Sequence, residues 1–210
     1  MIIAKKNDVY LTVETDKGIA RELSDFFTFE VPGAKFMPQY RNRMWDGKIR
    51  LFSMQTGEIY FGLLSYIEEF AKRNDIEIEY KEGVKDEERL RDGELDTFIG
   101  RVSPQSKGQN IQIRDYQMAA LDYAIRNNRS LLLSPTASGK SLIIYILSVW
   151  YASKTESNIL ILVPTTSLVE QMHSDFLDYG FKESMMQKIY QGYSKNITNP
   201  ITISTWQSVY

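Results

Sequence analysis

A short apolar run followed by a loop of small residues, Leu131-Leu132-Leu133-Ser134-Pro135-Thr136-Ala137-Ser138-Gly139-Lys140-Ser141, constrains this chain more than any other stretch. Ser130–Leu133 reads as a buried parallel strand, and Leu142–Trp150 is apolar and long enough for a helix. Strand, small-residue loop and helix in that order make a phosphate-binding loop. There, in the loop that Pro135 opens, backbone N–H groups from Thr136, Ala137, Ser138 and Gly139 would wrap a β-phosphate and Lys140 would reach the β/γ oxygens. The Ser141 hydroxyl would ligate Mg²⁺ held by the nucleotide. Lys140 and Ser141 are therefore the candidate catalytic residues. The general pattern asks for glycine five residues before Gly139, where this chain has Ser134. The competing reading is an ordinary strand-loop-helix connection with Lys140 in solvent.

Composition matters only for what it excludes. The chain has 210 residues, 43% of them hydrophobic, enough for one large or two small packed domains. There is no cysteine, so disulfides and thiolate metal sites are out of reach. The N-terminus lacks a signal-peptide core, and the longest apolar stretch is far short of a membrane span, which predicts a soluble, cytoplasmic protein. A net charge of −2 argues against a uniformly basic surface, so nucleic-acid contacts would have to come from local patches.

Residues 1–80 predict a small α+β domain. Val9, Leu11 and Val13 alternate as a strand, Asp16 can cap a helix with Ile19, Ala20, Leu23, Phe26 and Phe27 on one stripe, and Leu63–Ala71 repeats the helical stripe. Ile76, Ile78 and Tyr80 alternate as a last strand. Between Lys35 and Arg50 five bases (Lys35, Arg41, Arg43, Lys48, Arg50) face one acid, Asp46, with Phe36, Tyr40 and Trp45 interleaved. Asp46-Gly47 between strand-like stretches predicts a two-residue hairpin. Such a basic, aromatic hairpin suits DNA: Arg41, Arg43, Lys48 and Arg50 on phosphates, Trp45 or Tyr40 stacked on an exposed base or wedged into a junction. The plainer alternative is a solvated basic face with Trp45 packed across the strands.

Residues 81–110 read as an acidic and polar linker, with eight acids against four bases between Glu79 and Asp96 and a short helix between Lys85 and Leu95 as one option. Residues 111–210 then alternate helices and strands. A helix carries Met118, Leu121, Ala124 and Ile125; Asn158–Val163, Met185–Tyr190 and Ile201–Ser204 are strand candidates; Leu168, Val169, Met172, Phe176 and Leu177 form a helical stripe. This predicts a parallel sheet covered on both sides. His173, the single histidine, is assigned to the polar side of its helix.

Four motifs stand in a fixed order: Ile113-Arg114-Asp115-Tyr116-Gln117, Pro135–Ser141, Val163-Pro164-Thr165-Thr166-Ser167-Leu168, and Ser204-Thr205-Trp206-Gln207-Ser208. Together they resemble superfamily 2 DNA helicases. Pro38-Gln39-Tyr40-Arg41 and Trp45–Leu51 resemble the N-terminal module of the RecG-like, branch-remodelling helicases of T-even phages. The resemblance implies an α/β fold with an incomplete RecA-like parallel-sheet domain behind the small α+β domain. It implies ATP and Mg²⁺ as cofactors, with Gln117 on adenine and Arg114 against the base or the phosphates. It also implies DNA as partner, branched or single-stranded and bound without regard to sequence, with Thr165, Thr166 and Thr205 on one strand's phosphates. The location would be a host cell's cytoplasm if the protein is phage-encoded.

The same resemblance expects an acidic metal-positioning motif after Thr205–Ser208 and an arginine finger from a second RecA-like domain. Neither is in these 210 residues, so the chain is expected to be an N-terminal part, truncated or split, and inactive alone. Two other readings stay open. One is a non-catalytic DNA-binding and annealing module with a vestigial nucleotide site, and the other is a P-loop kinase or small ATPase, against which Pro164-Thr165-Thr166 and Thr205-Trp206-Gln207-Ser208 argue.

Overall fold

Alternation decides the first strands. Leu11 and Val13 are buried in β2 (Tyr10–Glu14), which runs antiparallel to β1 (Ile2–Lys5) with Ile3 opposite Val13. The computed structural model describes residues 1–85 and 90–209, in two units, Met1–Glu87 and Glu88–Tyr210. Among these residues no helix is long and apolar enough to cross a membrane.

In the first unit Asp16 caps α1 (Lys17–Phe26), its carboxylate accepting the N–H groups of Gly18 at 2.8 Å and Ile19 at 3.0 Å. β5 (Glu58–Tyr60) flanks β2, and β6 (Glu79–Tyr80) pairs in parallel with β1, so the four-stranded sheet runs β5-β2-β1-β6 and is mixed. Leu23 and Phe27 at one end of α1, with Ile67 and Phe70 of α3 (Leu64–Arg73), close over Ile3, Leu11 and Ile59. Each such fully buried aliphatic or aromatic side chain contributes about 1.5–3 kcal/mol.

The Asp46-Gly47 hairpin is not formed. The partner of β4 (Lys48–Arg50) is β3 (Thr28–Glu30), with Phe29 opposite Ile49, and the intervening chain holds a 3₁₀ turn at Ala34–Phe36 and the four-residue α2 (Pro38–Arg41). Asp46 does make a turn, but an Asx turn: its carboxylate accepts the Lys48 N–H at 3.1 Å and pairs with the Arg50 guanidinium at 2.5 Å. Gly47, at φ 78°, is required because a Cβ there would lie 3.0 Å from Ala34 and 3.1 Å from the Tyr40 ring. Its carbonyl accepts the Val31 N–H at 2.8 Å, tying the two ends of the excursion together.

In the second unit a parallel sheet runs β10 (Met186–Ile189), β11 (Ile201–Thr205), β9 (Ile159–Val163), with α6 (Lys140–Lys154) and α7 (Thr166–Asp178) packed on it. Coverage is complete over β11, whose five residues are all buried. It is incomplete over β9, where Ile161 and Val163 are buried and Leu160 and Leu162 are half exposed. The expected strand Ser130–Leu133 is absent. No described strand pairs with it, and Leu131 and Leu133 are 80% and 88% exposed; without a ladder partner, apolar sequence cannot hold a strand.

Much of the expected linker belongs to this unit. Leu90, together with Leu95 and Phe98 of α4 (Glu94–Val102), joins the core, and Phe98 meets Trp150 edge to face at 4.9 Å. The helix considered between Lys85 and Leu95 lies partly outside the described residues. Lys107 and Gly108, both with positive φ, turn the hairpin of β7 (Gln105–Ser106) and β8 (Gln109–Asn110). Asp178 at the end of α7 accepts the Ser106 hydroxyl at 2.7 Å and the Lys107 N–H at 2.9 Å, which holds its carboxyl below the usual range. His173 is not on the polar side of its helix. It lies on the Val169, Met172, Phe176 stripe of α7 and is buried, which lowers its imidazole pKa.

Candidate nucleotide and nucleic-acid sites

The loop before α6 has the backbone of a phosphate cradle. Ala137 and Gly139 both sit in the left-handed region, at φ 64° and 78°, and Gly139 is the N-cap of the 15-residue α6, whose first N–H groups have no helical acceptor. A non-glycine residue held there costs about 1–3 kcal/mol and persists only where its surroundings enforce it. Ser134, the departure from the general pattern, explains part of that enforcement: its hydroxyl bonds that of Ser138, which also reaches the Pro135 carbonyl at 2.8 Å. The Lys140 ammonium turns into the loop, 2.7 Å from the Pro135 carbonyl and 3.3 Å from that of Ser134. Pro135 and Thr136 are exposed, and Ser141 is half-buried near Tyr179, whose phenol burial pushes up against a smaller opposing hydrogen bond from Ser141.

The second wall comes from α5 (Asp115–Asn127). Gln117 is buried rather than solvated. Its carboxamide oxygen accepts the Arg114 N–H at 3.0 Å, and its nitrogen donates to the Ser138 carbonyl at 3.1 Å. The same carbonyl accepts the Tyr116 hydroxyl at 2.9 Å, and the Arg114 guanidinium donates to Tyr116 at 3.1 Å. Tyr116, inside the Arg-Asp-Tyr-Gln segment, thus joins the wall to the loop although the motif alone does not single it out. Arg114, Tyr116 and the loop border a cleft of about 570 Å³, within the range of small-molecule sites. The residues suit a nucleotide, with a cation and orphan N–H groups for phosphates, a hydroxyl at Ser141 for a phosphate-bound Mg²⁺ and the Arg114 guanidinium beside Tyr116. Gln117, Lys140 and Ser141 do not border the cleft itself, the Gln117 carboxamide lying against the loop at Ser138 and Gly139.

The Thr residues divide. Thr165 is the N-cap of α7, its hydroxyl accepting the Leu168 N–H at 3.3 Å. Thr205 is buried, its hydroxyl 2.9 Å from that of Ser208, and it shares with Thr166 the border of a cleft of about 520 Å³. That cleft lies at the carboxyl edge of the parallel sheet, where ligands of open α/β sheets bind.

In the first unit, Arg41, Arg43 and Trp45 converge with Lys35 and Tyr40 on an open cleft of about 740 Å³. Lys48 and Arg50 do not join them. Arg50 is paired with Asp46, a contact that raises the guanidinium pKa and lowers that of the carboxyl, and Lys48 lies 3.8 Å from Glu30. Among the described residues Arg41 and Arg43 form no ion pair. Trp45 is half-buried and its indole N–H donates to the Lys48 carbonyl at 2.9 Å.

A phosphate loop opening a helix beside a parallel sheet, with an Arg-Asp-Tyr-Gln wall and threonine loops at the strand ends, defines the class of P-loop α/β domains, here preceded by a small α+β unit. Residues 3–81 match the family described as DNA helicase UvsW, N-terminal, and residues 110–210 match Type III restriction enzyme, res subunit. The ATP-dependent DNA helicase uvsW of Enterobacteria phage T4 is 34% identical over 205 residues, which cover 95% of this chain and 41% of that protein. A crystal structure of the UvsW helicase from bacteriophage T4 superposes with a TM-score of 0.88 at 32% identity, over 99% of this chain and 75% of that one. A second crystal structure of T4 UvsW gives 0.90 at 32% identity, over 99% and 43%. The chain belongs to the UvsW helicase family and spans 41% of the length of the T4 protein.

Proposed function

We propose that this chain is the N-terminal part of an ATP-dependent DNA helicase or translocase that acts on branched DNA in recombination, repair and replication-fork remodelling. The observation that carries the reading is the phosphate loop bonded through the Ser138 carbonyl to Gln117 and Tyr116. In this reading the loop and α5 would hold ATP with its Mg²⁺: Lys140 would turn from the loop carbonyls to the β/γ oxygens, the Ser141 hydroxyl would be a ligand of the metal, and Gln117 and Arg114 would meet the base. Thr166 and the backbone around Thr165 and Thr205 contact one DNA strand, while Arg41, Arg43 and Trp45 engage the branch. The supporting relative is a phage protein whose name is ATP-dependent DNA helicase, which agrees with action in a host cell's cytoplasm.

Titration with a fluorescent ATP analogue tests it. Lys140→Ala removes a charge-assisted hydrogen bond to the phosphates and is expected to weaken binding by about tenfold to a hundredfold with the circular dichroism unchanged. Residues 1–210 are expected to bind the analogue without turning ATP over, since the acidic motif and arginine finger used in phosphoryl transfer are not among them. Unchanged affinity in Lys140→Ala would leave a DNA-binding module with a vestigial nucleotide site.

A further inference from the structure

The loop after β10 has no role in the reading above, yet it forms one side of the cleft that Thr166 and Thr205 border. Because the strand order is β10-β11-β9, the three loops that leave the carboxyl ends of these parallel strands are neighbours, with Tyr190–Lys195 on one flank and Thr165-Thr166 on the other. Tyr193 is 45% exposed and meets the Tyr190 ring at 4.5 Å. Tyr190 is fixed from behind: its hydroxyl donates to the Glu170 carboxylate of α7, which also takes the Lys188 ammonium at 2.8 Å. Lys188 in turn lies 5.4 Å from the Tyr193 ring centre. Glu170 thereby neutralises Lys188. Lys195, which borders the cleft, forms no ion pair among the described residues. Among those residues no carboxylate borders the cleft; hydroxyls, carboxamides, one ammonium and an aromatic face do.

We propose that Tyr190–Lys195 is a second nucleic-acid contact of this unit, in which the Tyr193 ring stacks on a base of single-stranded DNA and Lys195 meets the adjacent phosphate. The proposal rests on the reading of Thr166 and Thr205 as strand contacts and adds to it the groups that would grip the base side. An aromatic face accepts any base, and an ammonium on a flexible stem accepts any phosphate, so the contact is indifferent to sequence.

Fluorescence anisotropy on the whole 210-residue chain separates the possibilities, using an oligothymidylate and an abasic strand of equal length. Tyr193→Ala is expected to lower affinity for oligothymidylate by roughly tenfold and leave the abasic strand unaffected, while Tyr193→Phe binds both like wild type. Lys195→Ala is expected to reduce the salt slope of log K by about 0.7 on both strands. Wild-type binding to oligothymidylate that Tyr193→Ala leaves intact, or a Tyr193→Ala loss of equal size on the abasic strand, overturns this inference alone. Wild-type protein that binds neither strand overturns it together with the reading it rests on.

Discussion

Gln117 uses both ends of its carboxamide inside the protein, which makes it a structural part of the phosphate loop whatever it does to a base. A Cβ on Gly139 would collide with its carboxamide nitrogen, so the two residues are coupled sterically as well as through Ser138. Gly139→Ala should therefore destabilise the second unit and weaken ATP-analogue binding, from the clash and from the φ of 78°. Adding Gln117→Ala removes the clash but leaves the strained φ, so the double variant should lose less stability than the two single losses combined. Urea unfolding of the full cycle checks this, and additivity within about 0.5 kcal/mol would show no coupling. His173 is the other residue whose setting predicts behaviour. Burial depresses its pKa below 6.5, so the unfolded chain binds its proton first as pH falls. Its contribution is then fully present above pH 6.5 and is lost progressively below it. Thermal unfolding from pH 7.5 to 5 should show a decline in stability that His173→Gln removes. The paired carboxyls, Glu170 and Glu94 among them, are held below 4.5 and lose their contribution only at lower pH.

At the scale of elements, α4 is the sharpest departure from what the sequence suggests. Glu94 pairs with Lys154 at 2.6 Å and Phe98 packs on Trp150, so this helix is held by α6 at both ends of its first turns. Phe98→Ala should cost about 3–5 kcal/mol in urea unfolding of the second unit, as for other buried aromatic truncations. A solvated linker would lose less than about 0.5 kcal/mol at the same position. The acidic composition around it concealed three apolar residues that reach the core, Leu90 ahead of the helix and Leu95 and Phe98 three apart on one face of it. Leu131–Leu133 erred the other way, since three leucines promise a strand only where a ladder waits for them, and α6 begins on schedule without it.

At the scale of the whole molecule the two units carry separable tasks in the proposed helicase, one for the branch and one for ATP and a single strand. Arg41 and Arg43 line the first unit's cleft without an ion pair among the described residues, so reversing both to Glu should weaken binding to a four-way junction more than binding to plain single strands. The salt slope on duplex arms should fall by about 0.9 for each phosphate that is no longer neutralised. Lys48→Glu and Arg50→Glu should do less, because Arg50 already has Asp46 as partner and Lys48 approaches Glu30. Equal salt slopes for wild type and Arg41→Glu/Arg43→Glu would remove this cleft from the DNA-binding surface.

By itself the sequence determined what depends on neighbours along the chain. Period-2 and period-3.6 patterns placed β2, α1, α3, α5 and α7, short hydrophobic stretches placed α6, β9, β10 and β11, Asp16 announced its cap, and Gly139-Lys140-Ser141 announced the loop. Motif order was enough for the family. Only the tertiary structure decided what depends on residues brought from far away. Such long-range meetings pair β4 with β3, bury His173 and α4, gather Arg41 and Arg43 at one cleft while Arg50 is neutralised, and draw Gln117 and Tyr116 onto the Ser138 carbonyl. Local pattern records the propensity of a segment, whereas burial, ion pairing and strand pairing are set by which surfaces meet when the chain closes on itself.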